Sequence, residues 1–99
     1  MKKTKNKRTK IENFLYNYHK GEENAIHCKQ LQLKYKSDRG SIQYHIRTLR
    51  RDNVPICSSR KGYFYANTFA EIGETIDYLN KMRNGFTHTM DGLRGSMAV

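Results

Sequence analysis

From Ser37 to Tyr65 the chain reads SDRGSIQYHIRTLRRDNVPICSSRKGYFY, and its hydrophobic period changes half-way along. In the first half Ile42, Ile46 and Leu49 recur at steps of four and three, the spacing of one helical face. Ser37 precedes this run, where a hydroxyl satisfies orphan backbone N–H groups, so it is the expected N-cap of a helix from about Asp38 to Asp52. Asn53 tolerates the left-handed backbone that ends many helices, and Pro55 prevents continuation. Beyond it, residues 54–58 read as a short strand, 59–62 as a turn and 63–66 as a second, aromatic-rich strand. The pair forms a β-hairpin with a basic tip at Arg60 and Lys61. On the helix, Arg39, Gln43, Tyr44, Arg47, Arg50 and Arg51 lie mostly off the apolar stripe, which leaves one face for a core and the others cationic and polar.

Upstream, Ile11, Phe14, Leu15 and Tyr18 also recur at three- and four-residue steps and predict a first helix from near Thr9, stopped by Gly21. A polar turn follows at 21–24, then Ala25 and Ile26 as an extended segment, then a second helix from Cys28 to Tyr35 with Leu31 facing inward. Residues 1–8 have no apolar member after Met1 and no acid, which predicts a solvated basic arm. Downstream, Thr68 to Glu71 matches a capping box, in which threonine and glutamate satisfy each other's backbone donors, so a last helix starts there. Its apolar positions Phe69, Ile72, Ile76, Leu79, Phe86, Met90, Leu93 and Met97 follow a seven-residue repeat broken by Arg83, the pattern of a seam against another helix. The first turns of this helix are expected to pack on the core. Ile76, Leu79, Arg83, Phe86, Met90 and Leu93 are the expected dimer interface. Gly85, Gly92 and Gly95 each lower helix propensity by about 1 kcal/mol relative to Ala, so the distal half needs a covering partner.

The chain has 99 residues, enough for one small domain and too few for a second, catalytic one. Nineteen Lys and Arg against nine Asp and Glu leave a formal charge of +10, which points to a polyanionic partner. The charge is uneven. Residues 34–61 hold eight basic and two acidic side chains, a balance of +6, whereas residues 68–99 come to −1, so the last helix is not part of the polyanion surface. No apolar run approaches the roughly 20 residues of a bilayer span, and the block after the basic N-terminus is too interrupted for a secretory signal. Cys28 and Cys57 have neither Cys-x-x-Cys spacing nor a second pair; they read as small hydrophobes in a reduced compartment. His19, His27, His45 and His88 lie far apart without metal-ligand spacing, and no nucleophile is set beside a base, so an enzyme is not expected and neither is a cofactor.

Arginine pairs bidentately with guanine and glutamine with adenine, and an α-helix fits the major groove of duplex DNA. The order helix, helix, tight turn, helix, hairpin resembles the winged helix-turn-helix family over about residues 9–80. The nearest variant is the N-terminal domain of biotin-ligase repressors and of small bacterial and phage regulators. The matching residues are Ser37 and Arg39 opening the third helix, His45, Ile46 and Leu49 within it, then Pro55-Ile56, Ser58 and Lys61-Gly62-Tyr63. Two glycines common in the family, before and after the third helix, are replaced by the Tyr35-Lys36-Ser37 turn and by Asn53. The resemblance implies an α+β, mainly α fold with a winged-helix domain over 9–67, to which the apolar repeat adds a C-terminal dimerisation helix over 68–99. It implies a third helix in the major groove, a wing at Arg60 and Lys61 on the backbone or minor groove, and added contacts from Ser37 and Lys36.

The resulting expectation is a homodimer that binds double-stranded DNA sequence-specifically. It would serve as a cytoplasmic, nucleoid-associated transcription regulator, or as a replication or recombination factor of a phage or other mobile element. No small-molecule cofactor, metal or membrane enters this reading. Two other readings compete with it. A winged helix can be a protein-interaction module that uses its charge for solubility. Tyr63 and Tyr65, alternating with Phe64, can also form a stacking platform for single strands or RNA.

Overall fold

The computed structural model describes residues 6–97 and is mainly helical, with four α-helices and one two-stranded antiparallel hairpin. The central helix, α3, spans Arg39–Arg51 and buries Ile42, Ile46 and Leu49, the stripe expected from the spacing. Its N-cap is Asp38, one residue beyond the expected Ser37, and the Asp38 carboxylate accepts the Ser41 N–H at 2.7 Å. A carboxylate is the stronger acceptor of the two. That bond, with Lys7 nearby, holds the Asp38 carboxyl below its ordinary range. Ser37 is engaged elsewhere: it donates to the Tyr35 carbonyl and accepts from the Lys7 ammonium at 2.9 Å.

The first helix, α1, spans Lys7–Tyr18 and begins two residues before the expected Thr9. Asn6 caps it by accepting the Thr9 N–H. Lys7 and Arg8 therefore belong to the folded domain rather than to an arm, and Arg8 forms an ion pair with Asp52 at the end of α3. Residues 1–5, the remainder of the expected arm, lie outside the described residues. α2 spans Cys28–Tyr35 with Leu31 buried. It joins α3 through Lys36, which takes the left-handed conformation (φ 51°) that glycine adopts most readily, and Asn53 does the same after α3 (φ 68°).

The hairpin pairs β1 (Ile56–Ser59) with β2 (Gly62–Tyr65) in the register Ile56 to Tyr65 and Ser59 to Gly62. Ile26, extended as expected, exchanges two backbone hydrogen bonds with Tyr63 at 2.9 and 2.8 Å, and so lies along the outer edge of β2. The approach is close. A Cβ on Gly62 (φ 122°) would sit 2.3 Å from the Ile26 carbonyl oxygen, which explains glycine at this point of the Lys61-Gly62-Tyr63 sequence. Both faces of the hairpin are covered. Ile56, Tyr63 and Tyr65 face the main core with Ile11, Leu15, Leu31 and the α3 stripe, whereas the cross-strand pair Cys57 and Phe64 is buried on the other face.

That second face meets the last helix, α4, which spans Phe69–Met97 without a break. The capping box forms as expected: Glu71 accepts from the Thr68 N–H, and Thr68 accepts from the Glu71 N–H. The packing face is rotated from the expected one. Thr75 is the buried residue of α4, and Phe69, expected on the core, is 92 % exposed. The reason is the unpaired edge of β1, which is polar: the Thr75 hydroxyl accepts the Ser58 N–H at 3.3 Å and reaches the Ser58 carbonyl at 3.5 Å. From Ile76 onward the described side chains of α4 are exposed. No helix of the described residues is long and apolar enough to cross a membrane.

Candidate nucleic-acid interface

A helical turn of 100° per residue sets Arg39, Gln43 and Arg47 in one row on α3, and Gly40, Tyr44, Arg47 and Arg51 in the row farthest from the buried stripe. All of these residues are exposed. The guanidinium of Arg47 lies 5.6 Å from the centre of the Tyr44 ring, a cation–π contact that restrains both side chains on the outer face. The first row looks into an open cleft. Arg39, Gln43 and Arg47 form one wall, Ser59, Arg60 and Tyr63 of the hairpin form the second, and Tyr78, Leu79, Met82 and Phe86 of α4 form the third.

The cleft also takes in His27 and Lys29 at the start of α2, which the sequence reading leaves out. Their signal was faint: a helix N-terminus carries a partial positive charge and free N–H groups, but one lysine there does not stand out in a chain this basic. Lys7 is the other addition, at the opposite end of the outer face beside Ser37. The half-buried imidazole of His45 lies near it, and burial together with the Lys7 and Arg8 charges pushes its pKa down. Lys36, Ser37, Tyr44, Arg51 and Lys61 do not line the cleft: Lys36 and Ser37 lie in the turn before α3, Tyr44 and Arg51 on its outer row, and Lys61 at the tip of the hairpin.

Arg50 lines the cleft beside Arg47, but its guanidinium is engaged by the hairpin. Its Nε donates to the Ile56 carbonyl at 2.7 Å and its Nη2 to the Ser58 hydroxyl at 3.1 Å, so it braces α3 against β1. Burial lowers its pKa, as expected of a charge drawn out of water. Tyr63 and Tyr65 are not free stacking surfaces either. Both are half-buried, Tyr65 meets Tyr16 edge-on at 5.0 Å, and burial raises the pKa of each hydroxyl.

The acids within this basic region are engaged internally. Asp38 caps α3, and Asp52 pairs with Arg8. Among the described residues the other ion pair is Arg94 with Asp91, so Arg39, Arg47, Arg51, Arg60 and Lys61 carry no carboxylate partner. The chain matches no family model, no curated protein and no solved structure. The expected dimer-interface residues Ile76, Leu79, Phe86, Met90 and Leu93 lie exposed along α4, as does Arg83 between them.

Proposed function

We propose that this chain is a winged-helix protein that binds double-stranded DNA sequence-specifically as a dimer, with α3 as the recognition helix and the 59–62 turn as the wing. One observation carries the reading: an exposed helical face bears arginine, glutamine and tyrosine beside a basic hairpin tip, while the acids of the same region are consumed by capping and by Arg8. A helix with such a face fits a major groove about 12 Å wide. Arg39, Gln43 and Arg47 are the residues for base edges, because bidentate Arg–guanine and Gln–adenine pairs discriminate between bases. Arg51, Lys36, Lys7, Lys29, Arg60 and Lys61 neutralise phosphates and the Tyr44 hydroxyl donates a hydrogen bond to one, which adds affinity without sequence information. The biological role that fits is a small regulator, or a replication or recombination factor, acting at a dyad-symmetric site.

Selection from a randomised duplex pool at physiological salt tests this. A dyad-symmetric consensus is expected, and Arg47→Ala or Gln43→Ala should reduce discrimination at one position of each half-site by about 1–3 kcal/mol. Equal losses on cognate and random duplex would reduce these two residues to phosphate contacts. A protein that leaves DNA at or below physiological salt would instead be an interaction module whose charge serves solubility.

A further inference from the structure

Beyond Thr75, α4 continues as a helix whose apolar face the described residues leave largely uncovered: Ile76, Leu79, Phe86, Met90 and Leu93 are 37–64 % exposed. These residues continue a regular alternation of three and four, interrupted by one charge, Arg83. We infer that this face takes a second copy of the chain in antiparallel orientation, in one register: Ile76 against the partner's Leu93, Leu79 against the partner's Met90, and Arg83 against the partner's Phe86. The inference rests on the dimer reading above and fixes how that dimer is built.

The seam is its own complement when reversed. In antiparallel helices the two kinds of seam position face each other, and the register centred between Asn84 and Gly85 pairs Ile76 with Leu93 and Leu79 with Met90, apolar against apolar. The same reversal sets the lone cation on the lone aromatic ring of the seam, twice by symmetry, as two cation–π contacts. A parallel, in-register pair would face Arg83 with its own copy in a closing apolar layer, with no carboxylate in the flanking positions to offset it. Those flanking positions, Asn80, Met82, Thr87 and Thr89, are uncharged and select neither an acidic nor a basic foreign helix. The span also suits the function. At 1.5 Å per residue the two Thr75 anchors lie about 28 Å apart along the pair, close to the roughly 34 Å between half-sites one duplex turn apart.

Disulfide trapping in the full-length chain tests orientation and register together. Leu79→Cys and Met90→Cys are made separately, and oxidised alone and as an equimolar mixture, with the wild type as the baseline for Cys28 and Cys57. The expected result is a covalent dimer from the mixture and none above baseline from either variant alone. Trapping of each variant with itself would mean a parallel pair, and a dimer trapped in no combination would mean another register; either overturns the inference while leaving DNA binding untouched. A chain that stays monomeric in sedimentation equilibrium at tens of micromolar overturns the dimer and this inference together, and site selection then reads DNA binding separately. As a second measurement, Arg83→Gln should raise the dimer dissociation constant about tenfold, through loss of both cation–π contacts. Tighter association of Arg83→Gln would point to relief of an Arg–Arg contact and overturn the antiparallel arrangement.

Discussion

Arg50 shows how one residue type serves two ends on a single helix. It follows Leu49 directly and stands four residues after Ile46, so the helical turn leaves it closer to the buried stripe than Tyr44, Arg47 or Arg51. A charge at that boundary reaches inward if polar atoms await it, and β1 supplies the Ile56 carbonyl and the Ser58 hydroxyl. The sequence reading set it with the outward-facing arginines, because its partners depend on where the hairpin folds back. Arg50→Ala should therefore act on stability. Charged hydrogen bonds contribute about 1.5–3 kcal/mol, so the variant should lose about 2 kcal/mol and melt about 10 °C lower in a thermal unfolding experiment. A variant with unchanged melting and weakened DNA binding would return Arg50 to the recognition surface. Lys36 illustrates the opposite case: its left-handed backbone replaces the glycine expected in the turn between α2 and α3, at a strain that the surrounding packing sustains.

At the scale of elements, the helices with strong periodicity were readable and their ends less so. The α3 stripe and its Asn53 stop follow from spacing and turn chemistry, as does the capping box of α4. The start of α1 was hidden because Lys7 to Lys10 carry no apolar signal; the helix is fixed there by the Asn6 cap and by the reach of Arg8 to Asp52, a partner 44 residues away. The rotation of α4 was equally hidden, since a threonine becomes the best inward residue only beside an unpaired strand edge. Glu71 joins these elements: it accepts the Asn67 and Thr68 N–H groups and, with its other oxygen, the Glu22 N–H at 2.9 Å. Those bonds, that from Asn67 foremost, hold its carboxyl below the ordinary glutamate range. A depressed carboxyl contributes stability that is present above the unfolded-state value and lost as pH falls through the folded one. Glu71→Gln should thus cost on the order of 1 kcal/mol at neutral pH, the value of a cap, and the two proteins should converge in stability as pH falls below the ordinary glutamate range. Parallel curves across that range, from chemical denaturation at stepped pH, would show that the carboxylate charge is not what holds α4 to the 22–24 turn.

For the whole molecule, the decisive property is where the charge sits relative to what folds. Lys7 and Arg8 are part of α1 and hold the two ends of α3, so removing them would confuse loss of DNA contacts with loss of structure. A cut after residue 5 separates the two. It removes Lys2, Lys3 and Lys5 and leaves the Asn6 cap in place. Each phosphate neutralised by a cation releases counterions and steepens the dependence of log K on log salt by about 0.9. If all three lysines meet phosphate, the truncated chain should show a slope shallower by about 2.7 per protomer, with weaker binding to cognate and random duplex alike. Its melting temperature should stay within about 2 °C of the full chain, since no bond between described residues is lost. The specificity ratio should also stay unchanged, because the proposed function assigns base readout to α3. Titration of the full and truncated proteins against cognate and random duplex from about 50 to 200 mM salt measures both quantities. An unchanged slope would confine the DNA-contacting charge to α1, the start of α2, α3 and the wing, whereas a fall in the specificity ratio would make the N-terminal lysines readers of the groove rather than anchors on the backbone.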